Sequence, residues 1–193
     1  MPRLLAFAGS ARKGSFNHAV ARAAAQSARS AGADVELIDL ADYALPLFDA
    51  DLESAEGMPE HARRLKEQFR AADGFLVASP EYNSAYSPLM KNTIDWCSRP
   101  ESNEEPPLAA YEGKSAVLLS ASPGPLGGLR GLYALRDLFL NIGVTVYPDL
   151  LAIRSAHHVI GDDGSIIDPK WSEKIEDLTH AFVAFAERHR AGS

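Results

Sequence analysis

The sequence predicts an α/β fold: a five-stranded parallel sheet in the order 2-1-3-4-5, helices on both faces, one domain spanning residues 1–193. Three observations predict it. Short apolar runs alternate with longer segments whose apolar residues recur at helical spacing, the pattern of right-handed βαβ units. The length is one domain's worth of chain. Finally, the unusual residues gather in three loops, 10–17, 80–86 and 120–128, each at the carboxyl end of a strand. Open α/β sheets bind ligands at that edge, near a switch in strand order.

Taken in order, Leu4–Ala8 is the first strand, too short for a helix and broken by Gly9. Phe16, Ala19, Val20, Ala23 and Ala24 then mark a helix, and Asp34–Asp39 the second strand. Residues 41–58 read as irregular. Pro59 is expected at the first position of a helix with Ala62, Leu65, Phe69 and Ala72 as its buried stripe. Gly74–Ser79 is the third strand, and Ser87-Pro88 opens the next helix with a capping hydroxyl and a proline. Three prolines and four acids make 98–113 a long surface loop. Ser115–Ser120 is the fourth strand, followed by the glycine-rich stretch Ser122–Gly128 and a helix carrying Leu132, Leu135, Leu138, Phe139 and Ile142. Val144–Val146 is the fifth strand. Trp171, Ile175, Leu178, Phe182 and Phe185 form a one-sided stripe on a last helix.

Composition narrows the function classes. A net charge of −7 argues against a nucleic-acid partner, because duplex binding leans on basic residues. The single cysteine, Cys97, fits a reducing cytosol. No apolar run approaches a membrane-spanning length, and the N-terminus enters a strand without a signal-peptide pattern. A cytoplasmic protein is expected.

The loop Gly9-Ser10-Ala11-Arg12-Lys13-Gly14-Ser15-Phe16-Asn17 holds the most pointed chemistry. It offers the Ser10 and Ser15 hydroxyls, the Asn17 amide, the Arg12 guanidinium and the first amides of a helix. Those groups suit an anion, most naturally a phosphate. The competing reading is a tight turn whose Ser and Asn only cap the helix. Two familiar phosphate motifs are absent: Ala11 stands where a dinucleotide fingerprint has its second glycine, and Ser15-Phe16 follow Gly14 where a P-loop has Lys and Ser/Thr. Strand order and first loop together suit a flavodoxin-like three-layer sandwich.

That loop, with Ser79-Pro80-Glu81-Tyr82-Asn83 and Leu89-Met90-Lys91-Asn92-Thr93-Ile94-Asp95-Trp96, resembles the NADPH-dependent FMN reductase family, which includes quinone, chromate and azo-dye reductases. The similarity runs over roughly residues 3–150. It implies FMN as cofactor and NADPH or NADH as co-substrate. Hydride would pass to flavin N5 and on to a quinone, free flavin, azo compound or metal oxyanion, with ping-pong kinetics. By the same resemblance Ser10, Arg12, Ser15, Phe16 and Asn17 hold the FMN phosphate, and Pro80, Glu81, Tyr82 and Asn83 run along the isoalloxazine. Ser122, Gly124 and Gly127 lie near its far edge, where Pro123 and Pro125 depart from the usual Ser/Gly composition. Glu81 is expected to act mainly through its backbone, the other reading being a solvent-facing acid. No catalytic residue is expected, because the flavin carries the chemistry. The helix at 88–97 is implied to form a homodimer or homotetramer interface, although Trp96 reads more readily as core. The rival assignments are a flavodoxin-type electron carrier without nicotinamide activity and a non-catalytic sensor of a phosphorylated ligand.

Metal and hydrolase chemistry are set aside. His157 and His158 would point oppositely in an extended segment, no ligand-spaced cluster is present, and the nucleophile-elbow motif is missing.

Overall fold

In the computed structural model, which describes residues 1–191, β1 (Arg3–Ala8) lies between β2 (Asp34–Leu37) and β3 (Gly74–Ala78), with β4 (Ser115–Ala121) beyond β3. All pairings are parallel, and Leu5 is in register with Glu36 on one side and Phe75 on the other. The fifth place is shared by two short strands. β5 (Thr145–Val146) pairs with Ser115–Ala116, and β6 (Leu151–Ile153) with Leu119–Ala121. The order 2-1-3-4-5 is as the sequence predicts, but β6 is an addition. Its three residues are too few to show a period. Pro148 stands in the gap, where it has no N–H for a ladder.

Alternate side chains of β1 feed two cores, as strand geometry requires. Leu4, Ala6 and Ala8 face α1 (Phe16–Ser30) and α7 (Pro169–Ala191). Leu5 and Phe7 face α3 (Glu60–Ala71), α4 (Pro88–Cys97) and α5 (Leu129–Asn141). The inner side of α1 is a run of buried alanines (Ala19, Ala24, Ala25, Ala28), so its backbone approaches the sheet closely. On the opposite face the core is aromatic: Phe69 lies 5.1 Å from Phe7, 5.2 Å from Phe75 and 5.5 Å from Tyr111, ring centre to ring centre.

Three expectations need correction. Residues 41–58 contain α2 (Ala50–Glu56) and a 3₁₀ turn at Leu40–Asp42. An aspartate caps each: Asp39 accepts the Ala41 amide at 2.9 Å, and Asp49 those of Asp51 and Leu52. Pro59 is the N-cap of α3, whose first helical residue is Glu60. The segment 98–113 is not wholly superficial, since Ala110 and Tyr111 are fully buried. So is the ammonium of Lys66, reached by Glu105 from that segment at 2.6 Å and by the Arg99 carbonyl at 2.7 Å.

Candidate functional site

The first loop is fixed from below and open above. Gly9 donates its amide to Ala78 at 2.9 Å, and its carbonyl accepts the Ser87 hydroxyl at 2.5 Å. A side chain at Gly9 would meet Met90 Cε at 2.7 Å and Met90 Cβ and Ser87 Oγ at 3.3 Å, so α4 lies close against the loop here. Ser87 also caps α4, accepting the Met90 amide, with Pro88 in the first turn as expected. Ser10 Oγ accepts the Arg12 amide at 3.3 Å, and Ser15 Oγ caps α1 by accepting from Asn17 at 3.2 Å. Each hydroxyl keeps its own proton to donate. Among the described residues, the amides of Phe16 and His18 find no acceptor. The Arg12 guanidinium lies exposed, 5.8 Å from the centre of the Phe16 ring.

Asn17 has a different task from the phosphate donor that the sequence implied. It is buried, donates Nδ2 to the Ala121 carbonyl at 3.0 Å and accepts the Ala121 amide on Oδ1 at 3.0 Å. This pair fastens the first loop to the end of β4. His18 was not foreseen: its Nε2 meets the Ser10 carbonyl and its Nδ1 lies 3.7 Å from Asp39. Its position one turn into α1 was the only local signal.

The second loop is a tight hairpin. Tyr82 and Ala85 exchange backbone hydrogen bonds at 2.8 and 3.1 Å, and Asn83 and Ser84 between them both have positive φ. Two such residues in succession are the mark of a type I′ turn, which asparagine tolerates well. The Tyr82 ring is left 50% exposed. Glu81 corrects the expectation of a backbone role or a solvent-facing acid, for its side chain is only 10% exposed. Its carboxylate accepts the amides of Arg130 at 3.1 Å and Gly131 at 3.2 Å, and pairs with the Arg130 guanidinium. It thereby caps α5, whose own N-cap, Gly128, has no side chain. Burial alone would raise the Glu81 pKa; the Arg130 and Gly131 hydrogen bonds outweigh it and hold the group below the ordinary carboxylate range. Glu81→Ala is expected to cost about 1–2 kcal/mol of stability, the size of a lost helix cap, read from urea unfolding.

The third loop is seated on β6. Ser122 donates its amide to Ile153 at 3.1 Å, and its hydroxyl accepts that of Gly124 at 3.1 Å. Gly127 has φ of +63°, and a Cβ there would lie 2.7 Å from backbone carbons of Ala152 and Ile153. Pro123 and Pro125 give no amides, but those of Leu126 and Gly128 find no acceptor among the described residues. The buried Ser120 hydroxyl beneath Gly128 is likewise unpartnered. FMN is therefore compatible with what this edge leaves over: hydroxyl, amide and guanidinium donors on the first loop, an exposed ring on the second, open amides on the third.

Other chemistries have less to work with. His157 and His158 lie in a short helix, α6 (Ala156–Val159), and not in an extended segment; their ring centres are 4.0 Å apart, contrary to the opposed arrangement expected. No group of three potential metal ligands occurs among the described residues. Burial pushes the Cys97 thiol up to about 12, which removes it as a nucleophile. No helix among the described residues is long and apolar enough to cross a membrane.

A parallel sheet in this order, with an anion-ready loop after β1, is the flavodoxin-like arrangement, and solved structures share it. A flavodoxin from the domain Archaea superposes with a TM-score of 0.63 over 96% of this chain and 99% of its own, at 14% identity. FerB of Paracoccus denitrificans, a flavoenzyme NAD(P)H:(acceptor) oxidoreductase, reaches 0.82 over 98% and 99%, at 29% identity. The chain belongs to the NADPH-dependent FMN reductase family, whose model matches residues 2–158, and is thus an oxidoreductase that uses FMN and NAD(P)H. An NAD(P)H-dependent FMN reductase of Pseudomonas aeruginosa is 36% identical over 190 residues, 97% of each chain. A quinone reductase of Escherichia coli is 37% identical over 181 residues, 93% of this chain and 90% of its own.

Proposed function

We propose that this chain is a single-domain NAD(P)H:quinone reductase that also takes other small acceptors (free flavin, azo compounds or metal oxyanions) at the same open site. The observation that carries the reading is the set of donors left unused on the first loop, which is tied to β4 through Asn17 and to α4 through Ser87. Arg12, Ser10, Ser15 and the Phe16 and His18 amides would hold the FMN phosphate. Pro80, Glu81, Tyr82 and Asn83 would flank the ring, with Tyr82 packing and Glu81 keeping the loop against α5. Ser122, Gly124 and Gly127 would shape the far edge, chiefly by bringing open amides close. Bound FMN supplies hydride acceptance from NAD(P)H and onward reduction of the acceptor. No acid or base is assigned, since Glu81 is spoken for by Arg130 and two amides.

The test is turnover of the FMN-loaded protein with NADPH and a quinone, followed at the nicotinamide band. Parallel lines in double-reciprocal plots are expected, because one site serves both substrates in turn. Intersecting lines would remove the ping-pong scheme. Absence of nicotinamide oxidation with FMN bound would favour the electron carrier.

A homodimer or homotetramer built on α4 belongs to the same reading. Trp96 is fully buried and donates its indole N–H to the Pro46 carbonyl at 2.8 Å, so it serves the fold. Asn92 of α4 holds the same segment by two hydrogen bonds, and Leu47 beside it is 80% exposed. Leu47→Lys is expected to lower the oligomeric state in analytical ultracentrifugation; an unchanged sedimentation coefficient would place the interface elsewhere.

A further inference from the structure

Beside the third loop runs a groove of about 450 Å³. Pro125, Leu126 and Leu129 line it together with Trp171, at the start of α7. Arg154, Lys170 and Lys174 all border it. In a chain carrying 26 acids against 19 lysines and arginines, these three make no ion pair with any described carboxylate. Asp168, two residues before Lys170, gives its carboxylate to the backbone amide of Lys170, at 2.9 Å. Lys174 lies over the Trp171 ring instead, 4.8 Å from its centre. Both lysines also occupy the first turns of α7, the end of a helix where cations are disfavoured.

Such a group of uncompensated cations is suited to an anion brought by a ligand. The indole and the apolar side chains that line the groove suit a flat ring, with cation–π and stacking contacts to share. The groove also adjoins the flavin-side loop: Gly127 packs on Ala152–Ile153, and Ser155 donates its amide to Gly124 at 3.4 Å. The groove and the loop thus share Pro125, Leu126 and Ala152 as a common border.

We propose that the groove takes the phosphoadenosine end of NADPH, with the 2′-phosphate among Arg154, Lys170 and Lys174 and the adenine against Trp171 and Leu126, and so selects NADPH over NADH. The proposal rests on the reductase reading above. Calorimetry on the FMN-loaded protein should show 2′,5′-ADP binding at least tenfold more tightly than 5′-AMP, which lacks only the 2′-phosphate. The triple variant Arg154→Gln/Lys170→Gln/Lys174→Gln should erase that difference and raise KM for NADPH at least tenfold, with KM for NADH and FMN retention unchanged. Should the triple variant lose its fold, the pair Lys170→Gln/Lys174→Gln carries the comparison with a smaller shift. Equal affinity for 2′,5′-ADP and 5′-AMP in the parent protein, or the same preference surviving in the variant, overturns the groove assignment. A protein that oxidises neither NADPH nor NADH would sink the reductase reading, while the comparison of 2′,5′-ADP with 5′-AMP still decides the groove.

Discussion

The double variant Arg12→Ala/Ser15→Ala is expected to lose FMN affinity by about a hundredfold. Arg12 is the exposed guanidinium of the first loop, beside the exposed Lys13, and a charge-assisted hydrogen bond contributes about 1.5–3 kcal/mol. The Ser15 hydroxyl adds about 1 kcal/mol, and each 1.4 kcal/mol is a factor of ten. Removing Ser15 also uncaps α1, because its Oγ accepts the Asn17 amide. For that reason the variant should be compared with Ser15→Asp, which restores a cap but sets a carboxylate against the phosphate. Alanine and aspartate variants with similar melting temperatures and weakened flavin binding, measured by quenching of flavin fluorescence, would locate the effect in the site. Full retention of affinity in the alanine pair would remove the first loop from the cofactor's grip.

A second large effect is expected far from that edge. Glu105→Ala should cost about 3–5 kcal/mol, the usual result of breaking a buried ion pair from one side. The Lys66 side chain is 1% exposed, and losing Glu105 leaves its ammonium with the Arg99 carbonyl and with Glu101 at 3.6 Å. Since folded domains commonly hold only about 5–15 kcal/mol in total, such a variant stands close to unfolding. Replacing both partners, Lys66→Met with Glu105→Leu, should recover most of the loss, because an apolar pair needs no counter-charge. Urea midpoints of the three proteins decide it; a single variant as stable as the parent would mean that Lys66 reaches water unaided.

The same pair sets an acid dependence. Burial works to raise the Glu105 pKa, but hydrogen bonds from the Glu101 amide and Lys66, with the charges of Lys66 and Arg70, bring it below the ordinary carboxylate value. A depressed folded-state pKa means that the unfolded chain binds the proton more readily. The contribution is complete above the ordinary carboxylate range and is lost as pH falls through the folded-state value. Stability of the parent should therefore fall more steeply in acid than that of the Met/Leu double variant.

Much of this architecture is legible locally. Leu4–Ala8 and Gly74–Ala78 announce themselves as continuous apolar strands, and Ser87-Pro88 and Ser15 mark helix starts that need only adjacent residues. Three of the departures involve partners distant in sequence. Glu81 reads as a loop acid until Arg130, 49 residues on, comes beside it. Asn17 reads as a ligand donor until Ala121, 104 residues away, takes its amide. Tyr111 looks like part of a polar loop until Phe69 and Phe75 surround it. In α2 the signal was local but misleading, since a helix that buries no side chain shows no apolar stripe, and only Asp49 announced it.

The division of the last strand into β5 and β6 bears on how the protein behaves when crowded. A long, flat outer strand is a template onto which another chain can add, and repeated addition ends in aggregates. Here that margin offers two residues, then an interruption containing Pro148, then three more. A visiting strand could not stay in register across it, so the discontinuity itself opposes strand addition at this border.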